Sequence, residues 1–284
     1  MKKKILALIL ALFTLLSLSG CSTGFLSDKQ MLDVPAGKNP EATIVIEYAD
    51  EKDVERRITL VYELFYNDAP GTVANFVQLA NAGHYNGKIF HNLTAGGITA
   101  SNIQVMGGGK YSIESDGKYK LDKSLKYTIK GEFEANGWTK KDDADKDVSR
   151  NTLTHEKGSL VMDRDGGANT NFDTATADFY IALNNSNSRQ GNYAVFGQLL
   201  SCKAEIFEGE GEDAGWTVYG YGEGLVDWFV NEMLTVTKEN KDTTDDGRVN
   251  APKQPITIKS ITIDSKGVDY SKAKVPKIRL NLND

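Results

Sequence analysis

The chain has 284 residues, 40% of them hydrophobic, with 33 basic and 39 acidic side chains and a net charge of −6. This acidic balance argues against nucleic acid or an anionic lipid surface as a partner, because either would select a basic face. The sequence is rich in glycine and tyrosine, has few prolines, and alternates in short runs, which indicates a mostly β fold with insertions.

The first 20 residues are typical of a secretory signal peptide. Three lysines precede an apolar run from Ile5 to Leu18, and no acidic residue is present. The run ends in "LSGC", which is similar to a bacterial lipobox, so we expect a signal peptide over 1–20 and a lipid on Cys21. An ordinary signal peptide followed by a buried cysteine is the alternative. With the lipid, residues 21–41 form a tether, and the protein is a lipoprotein held on the extracytoplasmic face of the membrane.

Strand signals follow this segment. Residues 42–49 and 56–65 alternate apolar and polar side chains, as strands with one buried face do. Buried strands are also predicted at 158–163, 177–183, 193–200 and 255–264. Residues 138–150 carry a mixed-charge run, which is typical of a solvated loop.

Two helices interrupt the strands. Apolar side chains recur at helical spacing at Val73, Phe76, Val77 and Ala80. Asp68 suits the N-cap of this helix, Pro70 its first turn and Gly83 its exit. A second amphipathic helix is predicted over 223–236.

The sequence contains none of the common motifs for metal binding, nucleophilic catalysis or phosphate binding. The three histidines lack metal-ligand spacing, and neither a nucleophile elbow nor a complete phosphate loop is found. Asp242–Lys253 faintly resembles a calcium loop, but Lys253 stands where a bidentate glutamate is required. Cys202 is expected to be a small buried apolar residue.

The middle segments together resemble one family. The stretches "ELFYNDAPGTVANFVQLANAGHYNGKIFHN", "LTHEKGSLVMDR", "DTATADFYIAL", "NYAVFGQL" and "PITIKSITI" occur in the order and spacing of bacterial cyclophilins, which are peptidyl-prolyl cis–trans isomerases. The resemblance spans 42–264, apart from insertions near 94–100, 138–150 and 205–220, and leaves 265–284 as a C-terminal tail. It implies a mainly β fold, a closed eight-stranded antiparallel barrel capped by two helices.

The resemblance also implies catalysis without a cofactor or a metal. Amide resonance opposes rotation of an X–Pro bond with a barrier of about 20 kcal/mol. The family offers an apolar pocket for the proline ring and an arginine, directly after the histidine of its F-H motif, that donates toward the prolyl nitrogen. Here Asn92 stands at the arginine position, and a shorter, uncharged donor should stabilise the transition state less. His91 matches a framework histidine.

The other groove positions also differ from the family pattern. Ile103 stands at the pocket phenylalanine, Gln104 at the methionine and Met106 at the glutamine. The remaining peptide-binding positions match Met162, Asp163, Arg164, Asp178, Phe179, Tyr180 and Tyr193. Ile103, Met106, Tyr180 and Tyr193 suit an apolar slot and ordinary barrel core equally well. Asp163 and Asp178 predict an acidic rim around such a slot.

Two functions from different classes remain open. The first is a lipid-anchored prolyl isomerase that acts on proline-containing segments of exported proteins, its activity reduced or lost through Asn92. The second is a non-catalytic chaperone or adaptor that binds extended peptides, basic ones in view of the acidic rim. A purely structural envelope lipoprotein is a third. Arg164 is the nearest candidate for a displaced catalytic arginine, and Ser188 and Arg189 stand where the family has a tryptophan or leucine.

Overall fold

The structure, a computed structural model, describes residues 24–94, 104–165, 170–222, 225–244 and 247–279. The strands in chain order are β1 (Glu41–Ala49), β2 (Glu55–Leu64), β3 (Ile89–Thr94), β4 (Val105–Ile113), β5 (Tyr119–Leu121), β6 (Tyr127–Ile129), β7 (Thr139–Lys141), β8 (Asp147–Ser149), β9 (Leu160–Met162), β10 (Phe179–Ala182), β11 (Val195–Glu208), β12 (Gly215–Gly222), β13 (Lys238–Asp242), β14 (Arg248–Pro252), β15 (Ile256–Asp264) and β16 (Lys277–Arg279). The helices are α1 (Pro70–Asn81) and α2 (Leu225–Thr235). Over these residues, no helix combines the length and the apolar character that a bilayer crossing requires.

Eight strands hydrogen-bond in a closed antiparallel ring. Their order is β10, β9, β11, β2, β1, β15, β3 and β4, and β4 pairs again with β10. Strands β5 and β12 extend from the ring, paired with β4 and β11. Closure leaves the ring without an open edge. The predicted mainly β fold, with eight strands and two helices, is confirmed.

The alternation in β1 and β2 produces the ring interior. Every second residue of both strands is buried. Ile44 pairs with Leu60 and Ile46 with Ile58, and all four side chains are fully buried in the interior cluster. Each such side chain contributes about 1.5 to 3 kcal/mol of hydrophobic free energy, so the pattern fixes which face of each strand points inward.

Both helices pack into the same interior. The predicted apolar face of α1, Val73, Phe76, Val77 and Ala80, is buried there. Pro70 opens the helix, and Gly83 follows its end with a φ of 71°, a left-handed conformation that glycine adopts without strain. The second predicted helix is present as α2, which buries Phe229, Val230 and Met233.

The predicted N-cap of α1 is wrong. The N-cap residue is Ala69, and the carboxylate of Asp68 instead accepts hydrogen bonds from the backbone and hydroxyl of Thr152 at 2.9 and 2.8 Å. The backbone N–H groups of the first turn are satisfied by Glu132, which lies some sixty residues away in sequence. The sequence around the helix start cannot predict a capping residue that lies so far along the chain.

The insertions form hairpins where the structure describes them. Residues 138–150 contain β7 and β8, and the turn between these strands is organised by Asp142, whose Oδ1 accepts the backbone N–H groups of Ala144 and Lys146. The run is therefore a short exposed hairpin rather than a loop alone. Residues 205–220 lie in the β11–β12 hairpin. The insertion at 94–100 lies outside the described residues except for Thr94.

The flanking segments lie on the domain. In residues 24–40, Leu26 and Val34 are buried, and the ring of Phe25 is 5.0 Å from that of Trp138. In residues 265–279, Tyr270 is buried and β16 pairs with β6. In the segment with a faint calcium-loop pattern, Asp242 is the last residue of β13, and β14 pairs with that strand. The signal peptide, Cys21 and Ile103 lie outside the described residues.

Candidate active site

Three strands place Asn92 and Tyr180 side by side on the outer face of the ring. Gly107 of β4 pairs with Asn92 of β3 on one side and with Tyr180 of β10 on the other. A Cβ atom at Gly107 would lie 3.7 Å from the Cβ of Asn92 and 3.7 Å from the Cβ of Tyr180. The missing side chain leaves a recess between the two residues, which we call the Gly107 recess.

Asn92 is half-buried at the edge of this recess. Its amide oxygen accepts a hydrogen bond from the hydroxyl of Thr94 at 3.2 Å. Within the described part of the chain, its amide nitrogen makes no hydrogen bond, so that N–H is available to a ligand. Asn92 is thus a possible donor, without a charge, at one side of the recess.

An apolar cluster separate from the ring interior lies on the other side. Its members are Val105, Val161, Tyr180, Ala182, Tyr193 and Val195, with Leu153 packed against them. The rings of Tyr180 and Tyr193 are 6.0 Å apart and nearly perpendicular. The hydroxyl of Tyr180 lies 3.0 Å from Nε2 of His155, and burial raises the pKa of Tyr180. Tyr180 and Tyr193 are buried, at 1% and 8% exposure, in this outer-face cluster and are not part of the ring core; we call the two residues the aromatic wall.

Other predicted groove residues point inward. Met106, Met162 and Phe179 belong to the ring interior. The sequence match placed Met106 at the family glutamine, but Gly107 is the residue between Asn92 and Tyr180. The match is one residue out of register, because Val105 and Gly107 reach the outer face while Met106 does not. Gln104 precedes β4, and its backbone N–H donates to Asn184 Oδ1 at 3.0 Å.

The two aspartates of the predicted acidic rim differ in their surroundings. Asp178 is buried, and Nζ of Lys110 lies 3.0 Å from its carboxylate. Burial raises the pKa of Asp178 to about 7, although Lys110 opposes the rise. Burial and the neighbouring Asp178 raise the pKa of the partly exposed Asp163 to about 6. Lys110, which the sequence did not single out, makes the rim a mixed-charge cluster rather than an acidic one.

His91 lies in this cluster and stays neutral. Its Nε2 is 3.7 Å from a carboxylate oxygen of Asp178, and its ring packs 4.5 Å from that of Tyr111. Burial, together with the charge on Lys110, lowers the pKa of His91 to about 3. The residue therefore supports the strand carrying Asn92 and carries no charge at neutral pH.

Arg164 is a structural residue. Its guanidinium is buried and donates to the carbonyl of Asn192, from Nε at 3.2 Å and from Nη2 at 3.1 Å, and to the carbonyl of Thr170 at 2.6 Å. It also packs against the ring of Tyr193, with its central carbon 4.4 Å from the ring centroid. These bonds commit the guanidinium to the loop, so Arg164 is not a displaced catalytic donor.

Arg189 lies against both tyrosines of the aromatic wall, a contact that the sequence did not predict. Its guanidinium carbon lies 4.8 Å from the ring centroid of Tyr180 and 4.6 Å from that of Tyr193. The available signal was a cation in a segment where the family has a tryptophan or leucine.

Comparison with known proteins gives consistent matches. Residues 52–208 match the model of the cyclophilin type peptidyl-prolyl cis–trans isomerase/CLD family. A peptidyl-prolyl cis–trans isomerase of Helicobacter pylori is 31% identical over 157 residues, which is 55% of this chain and 75% of the relative. Peptidyl-prolyl cis–trans isomerase B of Bacillus subtilis is 32% identical over 140 residues, 49% of this chain and 75% of the relative. A Cryptosporidium parvum cyclophilin, crystallised in the presence of the dipeptide Ala-Pro, aligns with a TM-score of 0.40 and 18% identity over 78% of this chain and 98% of its own.

Proposed function

Because this chain belongs to the family of cyclophilin-type peptidyl-prolyl cis–trans isomerases, we propose that it isomerises X–Pro bonds in exported proteins at the cell envelope. The observation that carries the proposal is the arrangement of Asn92, the Gly107 recess and Tyr180 across three adjacent strands. It provides a hydrogen-bond donor beside an aromatic wall, on a rigid sheet.

The chemistry needs no covalent step. The amide of an X–Pro bond must lose its resonance as it twists, and a donor near the prolyl nitrogen favours the pyramidal nitrogen of the twisted state. Tyr180 and Tyr193 supply apolar ring faces for the proline, and Asn92 supplies an N–H at the other side of the recess. Binding the twisted state better than either planar isomer accelerates the reaction in both directions.

Asn92 limits the rate in this proposal. Charge-assisted hydrogen bonds are roughly twice as strong as neutral ones, so an asparagine stabilises the developing charge less than an arginine would. The Gly107 recess is next to Asn92 and offers room for a longer side chain. An Asn92→Arg variant should therefore turn over proline peptides about tenfold faster than the wild type.

The test is an isomerisation assay on a proline-containing tetrapeptide with the full chain in mild detergent. Wild type should exceed the uncatalysed rate, Asn92→Ala should be slower, and Asn92→Arg faster. Asn81→Arg, at an exposed position on α1, is the matched control for the added charge. A folded wild type that gives no acceleration would refute the isomerase.

The uncharged donor also favours a second candidate, non-catalytic peptide binding. A holdase or adaptor would use the same recess and aromatic wall without stabilising the twisted amide. It predicts saturable binding of a proline peptide to wild type, with no acceleration in either wild type or Asn92→Arg.

The envelope location rests on the signal-like residues 1–20 and on Cys21. A lipid on Cys21 would hold the protein on the extracytoplasmic face of the membrane, where exported chains with proline-containing segments emerge. Metabolic labelling with an alkyne fatty acid in a bacterial host should mark wild type and not Cys21→Ser. Equal labelling of the two proteins, or recovery of wild type in the soluble fraction, would count against the anchor.

A further inference from the structure

We propose that Arg189 supplies the positive charge that Asn92 lacks, and so acts as a second, relocated donor in the isomerase site. The inference rests on the proposed prolyl isomerase function. It assigns a catalytic role to a residue on the opposite side of the aromatic wall from Asn92.

The position of Arg189 relative to the recess is the first argument. Tyr180 borders the Gly107 recess at its Cβ, and the guanidinium carbon of Arg189 lies 4.8 Å from the centre of the Tyr180 ring. The same carbon lies 4.6 Å from the ring of Tyr193. The guanidinium thus packs against both rings, which are 1% and 8% exposed, and a proline ring bound at the Gly107 recess would meet the edge of Tyr180 with the guanidinium on the other side of that ring.

The loop that carries Arg189 is held in place on both sides. The side chain of Gln190 accepts a hydrogen bond from the backbone N–H of His155 at 2.8 Å and donates to the carbonyl of Leu153 at 3.0 Å. The backbone N–H of Ser186 donates to the carbonyl of His155 at 3.0 Å. A cation on such a loop is positioned before the substrate arrives, which is the condition for effective electrostatic stabilisation.

Arg189 hydrogen-bonds the hydroxyl of Tyr180, but its donors are not fully used. Its Nε atom is buried and has no hydrogen-bond partner in the described structure. The two other cations of the site are committed, since Arg164 donates to loop carbonyls and Lys110 pairs with Asp178. A buried N–H without an acceptor is unfavourable, and a substrate amide or carbonyl that reached it would supply the missing acceptor.

Nearby groups keep Arg189 charged. Its pKa is raised despite burial, because Tyr180, Tyr193 and Asp163 all favour the cation. Asp163 offsets part of the positive potential, but a guanidinium stays protonated at any pH at which a protein is folded. The positive charge of Arg189 is therefore present throughout the pH range in which exported proteins fold.

The experiment compares wild type, Arg189→Gln, Arg189→Lys and the double variant Asn92→Arg/Arg189→Gln in the tetrapeptide assay, using the full chain in detergent. We expect Arg189→Gln to lose about tenfold or more in kcat/KM, with the loss in kcat, and Arg189→Lys to retain more. The double variant should regain at least the wild-type rate, because the charge returns at the other side of the recess. Arg248→Gln, which removes an exposed arginine on the β13–β14 hairpin, should leave the rate unchanged.

The outcomes separate the two proposals. An active wild type with an equally fast or faster Arg189→Gln would overturn the role of Arg189 and leave the isomerase intact; a faster variant would mean that the arginine covers the tyrosines against substrate. A wild type no faster than the uncatalysed reaction would refute the isomerase and the role together. If circular dichroism shows that Arg189→Gln is unfolded, the comparison of Arg189→Lys with Arg189→Met takes its place.

Discussion

The buried carboxylate of Glu132 completes the first turn of α1, where its Oε2 accepts a hydrogen bond from the backbone N–H of Thr72 at 2.8 Å. Its Oε1 accepts the N–H of Gly71 at 2.9 Å. Glu132 is fully buried, and a Cβ at Gly71 would lie 3.1 Å from its Oε1, so the carboxylate approaches a helix start that has no side chain in the way. Helix α1 is thereby attached to the segment that follows β6.

Replacing Glu132 by alanine should lower the free energy of unfolding by about 2 to 4 kcal/mol. Two buried backbone N–H groups would lose their acceptor, each at a cost of about 1 to 3 kcal/mol. Urea denaturation followed by circular dichroism measures the change. Asp68→Ala is the control, because Asp68 binds Thr152 and does not cap the helix. A loss from Asp68→Ala as large as that from Glu132→Ala would contradict the assignment.

Glu132 should also make stability depend on pH. Burial raises its pKa from 4.5 to about 7, although the N–H groups of Thr72 and Gly71 oppose the rise. A carboxyl whose pKa is raised by folding contributes stability that is fully present below pH 4.5 and is lost as the pH rises through 7. From pH 5 to pH 8, wild type should therefore lose about 2 to 3 kcal/mol relative to Glu132→Gln. Parallel curves of unfolding free energy against pH for the two proteins would show that Glu132 does not titrate in this range.

Two histidines make the unfolding free energy change with pH in the opposite direction. For this reason the prediction compares wild type with Glu132→Gln. Burial lowers the pKa of His91 to about 3 and that of His155 to about 4, in both cases helped by a nearby cation. Their contribution is present above pH 6.5 and is lost as the pH falls. Both histidines remain in Glu132→Gln, so their effects cancel in the difference between the proteins.

Periodicity in the sequence was enough to predict several strands and both helices, because side chains such as Ile44 and Val73 must be buried at spacings of two or of three to four residues. The closed ring was implied only by the resemblance to cyclophilins. The register of β4 could not be obtained from periodicity. The run Gly107–Gly109 has no side chains, so there is no alternation of apolar and polar residues from which to read the register where the site begins. The Glu132 cap and the position of Arg189 depend on contacts between distant segments, which no local pattern contains.

Tyr180 should be required for the site through its ring and not through its hydroxyl. Tyr180→Phe removes the contacts of the hydroxyl with His155 and Arg189 and should cost about 1 kcal/mol of stability while leaving peptide affinity within about threefold. Tyr180→Ala removes the wall between the Gly107 recess and Tyr193, so the affinity for an Ala-Pro peptide should fall at least about tenfold.

Isothermal titration of the full chain in detergent measures both affinities. Tyr111→Ala, which removes a ring packed against His91 outside the aromatic wall, is the control for general loss of packing. If Tyr180→Phe and Tyr180→Ala lose the same affinity, the hydroxyl and not the ring face is the binding element.

Lys110 should stabilise the fold by neutralising Asp178. Asp178 is buried and Nζ of Lys110 is 3.0 Å away, so Lys110→Met leaves a buried carboxylate without its counter-ion. Removing one partner of a buried pair costs about 3 kcal/mol. The pKa of Asp178 is already raised to about 7, and loss of Lys110 raises it further, so the carboxyl escapes part of the cost by taking up a proton at low pH. The destabilisation should therefore be larger at pH 8 than at pH 5.

The double variant Lys110→Met/Asp178→Asn separates the charge from the packing of the lysine stem. It should recover most of the stability at pH 8, because no unpaired charge remains buried, and it should lose the difference between pH 8 and pH 5. Lys118→Met, which breaks an exposed pair with Asp116, should change the unfolding free energy by less than about 1 kcal/mol. If the double variant is as unstable as Lys110→Met, the lysine acts through its apolar stem, and the mixed-charge cluster does not stabilise the strand that carries Tyr180 through its charges.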